Sequence, residues 1–193
     1  MVEKVYLLRH GHINTGGEKR YVGQTDIPLD TLGLEQAQEL REYFKAIPID
    51  SVFTSPLRRC VQTTQIIFDE YQCIEKFREI DMGEWENIPI AYIKSHYPKL
   101  YAQRGNDLEY FRPPNGENFH DVAERVRYAF DTIVHHAKGT IVIIAHAGVN
   151  RMILSRILGI EINAMLSIEQ PYACVNELKL DSQSMQWEYK RVL

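Results

Sequence analysis

The sequence predicts an α/β fold: a three-layer sandwich with a mostly parallel central sheet flanked by helices. Three observations predict it. Val5-Tyr6-Leu7-Leu8 and Ile141-Val142-Ile143-Ile144-Ala145 are unbroken apolar runs of strand length, the pattern of strands buried on both faces. Helix-period segments alternate with these strands, which is the sequence mark of β-α units and parallel pairing. The length of 193 residues suits a single domain over 1–193 with a sizeable core.

The elements follow in order. Val5 to Leu8 is the first strand, and Gly11 to Asp30 a long polar loop with Gly16-Gly17 and Pro28. Thr31 to Ala46 is a helix with Leu34, Ala37, Leu40 and Phe44 on one face. Ser51 to Thr54 is a short strand. Ser55-Pro56 reads as an N-cap with proline at the first helical position, opening a helix to about Tyr71. Glu79 to Trp85 is a loop, and Glu86 to Glu117 is irregular and aromatic with two short helices. Phe119 to Ala137 is a helix whose core face carries Val122, Val126, Phe130, Ile133 and Val134. Thr140 to Ala145 is a strand, Val149 to Leu158 a helix, and Cys174–Leu180 and Gln186–Val192 are strands around a polar turn.

Bulk properties narrow the function classes. Lys and Arg number 22 against 26 Asp and Glu, a net charge of −4, so no nucleic-acid or polyanion surface is expected. No 18-residue apolar span and no leader pattern is present, so a cytoplasmic protein without a membrane partner is expected. Cys60, Cys73 and Cys174 are scattered and odd in number, which fits reduced thiols. No Cys/His cluster has zinc spacing; His135-His136 are adjacent on a helix and point apart. No metal and no cofactor is therefore expected.

The chemistry concentrates at two strand ends. The first strand delivers Arg9-His10-Gly11, and the strand ending at Ala145 delivers His146-Ala147-Gly148. Sites in open α/β sheets gather at the carboxyl ends of strands, so two imidazoles are expected to converge on one pocket. Further motifs are Gly23-Gln24-Thr25-Asp26-Ile27-Pro28-Leu29, Gly33-Leu34-Glu35-Gln36-Ala37 and Ser55-Pro56-Leu57-Arg58-Arg59-Cys60. After them come Arg78-Glu79-Ile80-Asp81-Met82-Gly83-Glu84-Trp85 and Asn115-Gly116-Glu117-Asn118. In this order and spacing the chain resembles the histidine phosphatase superfamily, with its phosphoglycerate mutase-like fold. That resemblance runs nearly end to end and is strongest to the α-ribazole and broad-specificity phosphatase branch.

The resemblance implies roles. His10 is the expected nucleophile, which would form a phosphohistidine that water hydrolyses. It must be neutral, so its other ring nitrogen should donate to a backbone carbonyl. Arg9, Arg59 and His146 would surround the phosphoryl oxygens; the planar guanidinium fork pairs bidentately with phosphate. The Ser-x-Leu-x-Arg pattern selects Arg59 over Arg58. The helix opened by Ser55-Pro56 should add N–H groups facing the same anion. Glu79 matches the proton donor, with catalytic His10 and His146; spacing alone leaves Glu84 and Asp81 open. Asn14, Thr15, Gly23, Gln24, Thr25, Glu117 and Ala147 are candidate substrate contacts, Glu117 being equally suited to helix capping. The expected partner is a small-molecule phosphate ester, and the resemblance allows a homodimer.

The chain departs from the family where His12 and Ile13 follow Arg-His-Gly in place of Glu or Gln and Ser or Thr, and where Cys60 replaces alanine. Cys60, beside Arg59 and near a helix start, is either a lowered-pKa thiol or an inert buried one. The segment from Trp85 to Asn118 scatters Lys94, Lys99, Arg104 and Arg112 among Tyr92, Tyr97, Tyr101, Tyr110 and Phe111, with Phe119 just beyond. Those aromatics are either core or a cover for a ring or sugar. The resemblance leaves a phosphomonoesterase, with a 2,3-bisphosphoglycerate-dependent phosphoglycerate mutase or a catalytically weak binding or signalling module on the same fold as alternatives. The intact set His10, Arg59, Glu79 and His146 favours the first.

Overall fold

Alternate residues of the two apolar runs bury against different layers, which is why neither run shows polar alternation. Val5, Leu7, Ile141, Ile143 and Ala145 pack in one core, while Tyr6, Leu8, Val142 and Ile144 pack in another on the opposite face. The computed structural model describes residues 1–181 and 183–193. Its elements run β1 (Val2–Arg9), β2 (Arg20–Tyr21), α1 (Thr31–Phe44), β3 (Ser51–Thr54), α2 (Arg58–Ile67), β4 (Gln72–Cys73), β5 (Ile88–Pro89), α3 (Ile90–His96), α4 (Pro98–Asn106), α5 (Phe119–His136), β6 (Gly139–Ala145), α6 (Ala147–Leu158), β7 (Val175–Leu180) and β8 (Trp187–Arg191).

The main sheet has the strand order β4-β3-β6-β1-β7-β8. Strands β4, β3, β6 and β1 are parallel, and β7 and β8 are antiparallel at one edge. One face carries α5 and α6, whose Val122, Val126, Phe130, Ile133 and Ile153 fill the larger core. The other carries α1 and α2 over Leu40, Phe44, Val52 and Cys60. The expected three-layer α/β sandwich is therefore the observed one. Helix α5 begins with a capping box: Asn118 accepts from the Asp121 N–H, and Asp121 accepts from the Asn118 N–H. Helix α1 is capped by Asp30, which accepts from the Gly33 N–H.

The helix expected from Ser55 starts instead at Arg58 and ends at Ile67. Ser55-Pro56 is not its cap, because the Ser55 hydroxyl serves His146 and the Arg58 N–H donates to Asp26 at 2.7 Å. The polar loop after β1 also holds β2, paired with the distant β5 in a short ribbon that periodicity could not reveal in two-residue strands. Residue 182 of the turn before β8 lies outside the described residues.

Candidate active site

Strands β1 and β6 are neighbours in parallel register, Arg9 opposite Ala145, so both ends open at one edge of the sheet. His10 and His146 meet there with ring centroids 5.2 Å apart. Beside them lies a cavity of about 1040 Å³ lined by Arg9, His10, Arg59, Glu79, Ala147 and Gly148, among others.

His10 is buried, and its Nδ1–H donates to the Gly11 carbonyl at 2.7 Å. A carbonyl can only accept, so this bond fixes the tautomer and leaves Nε2 with a lone pair. Burial holds the imidazole well below its usual pKa, reinforced by the Arg59 and Arg9 charges. The ring is therefore neutral, as a nucleophile at phosphorus requires.

Arg59 is held by three bonds. Nη1 donates to the Thr25 carbonyl at 2.8 Å, Nη2 to the Gly23 carbonyl at 2.7 Å and Nε to His146 Nδ1 at 3.2 Å. The Gly23–Thr25 turn is fixed in turn by Glu86, whose carboxylate accepts from the Gln24 and Thr25 N–H groups and the Thr25 hydroxyl. Arg9 stacks 3.8 Å from the Tyr172 ring centroid and donates to the Gln170 carbonyl at 2.5 Å. Its Nε is buried without a partner among the described residues. Neither arginine has a carboxylate within ion-pair distance among the described residues. Buried cations are normally compensated, so this wall of the cavity suits an anion.

Glu79 stands across from them. Its carboxylate accepts from the Gly148 N–H at the start of α6 and from the Ile80 N–H, both at 3.0 Å. Gly148 has to be glycine for this approach, since a Cβ there would collide with the Glu79 carboxylate. The competing acids lie elsewhere: Glu84 is exposed and accepts from Asn115, and Asp81 closes a turn onto Gly83.

Several sequence expectations change. His146 does not line the cavity: it is fully buried behind it. Its Nδ1 accepts from Arg59, so its proton sits on Nε2 and donates to the Ser55 hydroxyl at 2.7 Å. Burial and Arg59 keep it neutral. It orients Arg59. Gln24 and Thr25 also stay off the cavity wall because their polar groups brace Glu79, Glu86 and Arg59. Glu117 is neither a cavity residue nor a helix cap; it pairs with Arg125 at 2.8 Å. Asn14, Thr15, Gly23 and Ala147 do line the cavity, though the Asn14 and Thr15 side chains also bond within their own loop. Of the N–H groups at the start of α2 that were expected to reach an anion, that of Arg58 is taken by Asp26. Cys60 is the inert alternative: burial pushes its thiol up to about 12.

Of the aromatics from 92 to 119, Phe119 alone lines the cavity. Tyr92, Tyr97 and Tyr110 are exposed, and Phe111 packs on Trp85. The cavity's other rings are Tyr21 and Tyr172. Sequence reasoning missed these, together with Lys19, Arg20, Arg104 and Arg151. Arg151 had a signal, since it lies one helical turn after Ala147 on the same face. Tyr172 had none; it is set by Ala173, whose positive φ of 57° and N–H bond to the His10 carbonyl turn the chain. Of the other departures from the family pattern, Ile13 is largely buried yet reaches the cavity wall, and His12 lines the cavity with Nδ1 at 2.6 Å from Asp30.

Residues 5–192 match the family model described as histidine phosphatase superfamily (branch 1). The chain is 25% identical over 183 residues to the adenosylcobalamin/α-ribazole phosphatase of Escherichia coli (strain K12), covering 92% of this chain and 90% of that protein. It is 29% identical over 189 residues to the probable phosphoglycerate mutase GpmB of Salmonella arizonae, covering 95% and 87%. Its fold matches the crystal structure of the α-ribazole phosphatase from Shigella flexneri with a TM-score of 0.87 at 23% identity, over 98% and 95% of the chains.

Proposed function

Since the chain belongs to the histidine phosphatase superfamily, we propose that it hydrolyses small organic phosphate monoesters through a phosphohistidine on His10. The observation that carries this reading is His10 itself: neutral, with Nδ1 committed to Gly11, beside two arginines that have no carboxylate partner among the described residues. In the first step the Nε2 lone pair forms the N–P bond as the P–O ester bond breaks. The leaving alkoxide takes its proton from the Glu79 carboxylic acid. In the second, water attacks phosphorus and Glu79 takes its proton. The N–P bond breaks, its electron pair returns to Nε2, and inorganic phosphate is released. Arg9 and Arg59 hold the equatorial oxygens and offset the charge that develops there.

The cavity beyond the phosphoryl site supports a reading of the substrate class. Tyr21, Phe119 and Tyr172 offer aromatic surface, which suits a nucleoside-like monophosphate. α-Ribazole 5′-phosphate is the first candidate, in line with the name of the E. coli relative. One observation favours a second reading, a bisphosphoglycerate-dependent mutase. Lys19, Arg20, Arg104 and Arg151 line the same cavity and would hold a second acidic group.

A substrate panel separates the two. We expect phosphate release from α-ribazole 5′-phosphate and p-nitrophenyl phosphate, with little interconversion of 3- and 2-phosphoglycerate. Efficient interconversion that depends on 2,3-bisphosphoglycerate, with negligible phosphate release from the monoesters, would overturn the phosphatase reading in favour of the mutase.

A further inference from the structure

Glu79 sits in a stretch, Arg78 to Met82, that belongs to no helix or strand, yet its carboxylate must be placed to within a fraction of an ångström. One ion pair bonds this stretch on both sides of Glu79, alongside single bonds from Gln24, Glu86 and Gly148. Arg125, on the long helix α5, uses its whole guanidinium. Nη1 donates to the Lys76 carbonyl at 2.6 Å and the Arg78 carbonyl at 2.8 Å, and Nη2 donates to the Glu79 carbonyl at 3.1 Å. The same fork binds Glu117 bidentately, Nε to Oε1 at 2.8 Å and Nη2 to Oε2 at 2.9 Å. Glu117 then grips the other side of Glu79: its Oε2 accepts from the Asp81 N–H at 2.9 Å, and its own N–H donates to the Asp81 carbonyl at 2.8 Å. Carbonyls or N–H groups of residues 76, 78, 79 and 81 are thus tied to one largely buried pair. The turn carrying Glu117 lies so close that a Cβ on Gly116 would stand 2.6 Å from the Asp81 carbonyl oxygen.

We propose that Arg125 and Glu117 form a positioning clamp that sets the Glu79 carboxyl for proton transfer to the leaving group. This rests on the reading of Glu79 as that acid. Neither clamp residue lines the cavity, so neither touches substrate. Lysine cannot replace Arg125, because a single ammonium cannot serve three carbonyls and a bidentate carboxylate together. Glutamine at 117 keeps the shape but weakens the charge-assisted grip on Arg125.

A displaced acid has a distinctive signature. An aryl ester such as p-nitrophenyl phosphate has a leaving group that hardly needs a proton; an alkyl ester such as glycerol 2-phosphate needs one. The test measures kcat and KM for both esters in Arg125→Lys, Glu117→Gln, Glu79→Gln and the double variant Glu79→Gln/Arg125→Lys, with thermal unfolding as a check on folding. We expect each clamp variant to lose kcat/KM on the alkyl ester by about 10²-fold. Losses are compared as kcat/KM, which reads phosphoryl transfer to His10 and not the later step in which Glu79 takes a proton from water; on that measure the aryl ester should change little. The double variant should lose no more on the alkyl ester than Glu79→Gln alone. Equal losses on the two esters in the clamp variants, or no loss, while Glu79→Gln is selective for the alkyl ester, would overturn the clamp alone. Equal losses in Glu79→Gln itself would remove the acid reading and the clamp with it. Should Arg125→Lys not fold, Glu117→Gln decides by the same comparison.

Discussion

At the scale of single residues, the site separates groups that face the cavity from groups that hold them. His10, Arg9, Arg59 and Glu79 face it; His146, Glu86 and Ser55 stand behind and fix where the first set points. The choice among the neighbouring acids turns on this distinction. Glu79 is tied to the first turn of α6, whereas Glu84 is exposed and bonded to Asn115. Glu79→Gln should therefore cost kcat about 10²- to 10⁴-fold on alkyl esters, the usual contribution of a positioned proton donor. Glu84→Gln should leave turnover near wild type. The steady-state rates of the two variants on glycerol 2-phosphate check this, and a selective alkyl-ester loss in Glu84→Gln would mean that the wrong carboxylate has been chosen.

At the scale of elements, what the sequence makes legible is what repeats. The unbroken apolar runs of β1 and β6 and the helical periodicity of α1 and α5 place those elements within a few residues of their observed bounds. Arg9, His10 and Arg59 follow because each occupies a strand end or helix start within a local motif. The start of α2 is not legible, because Ser55-Pro56 carries a cap signal that His146, 91 residues away, claims for itself. Nor are Tyr172, Arg104 and Lys19 on the cavity wall, since long-range packing brings them there and no local pattern marks it. Glu117 shows the same limit from the other side. Its motif is local, but its role depends on Arg125 and on a loop some 36 residues earlier.

At the scale of the whole molecule, the site imposes a pH dependence on stability. His10 and His146 are buried neutral, with pKa values held well below the usual value of 6.5. Below that value the unfolded chain binds protons that the folded one refuses. Stability from these residues is therefore fully present above about pH 6.5 and falls as pH drops below it. Chemical denaturation at pH 7.5 and pH 5.5 should show a loss on acidification that shrinks in His146→Gln; an equal loss in both proteins would contradict it. The same neutral imidazole is the central claim about function. The most direct measurement is brief reaction with a ³²P-labelled monoester, a quench, and detection of the protein-bound label. We expect an acid-labile, base-stable phosphoenzyme in the wild type, held on His10, and neither label nor turnover in His10→Ala. A His10→Ala protein that still accumulates phosphohistidine, or a wild type that turns over ester without forming any, would contradict it.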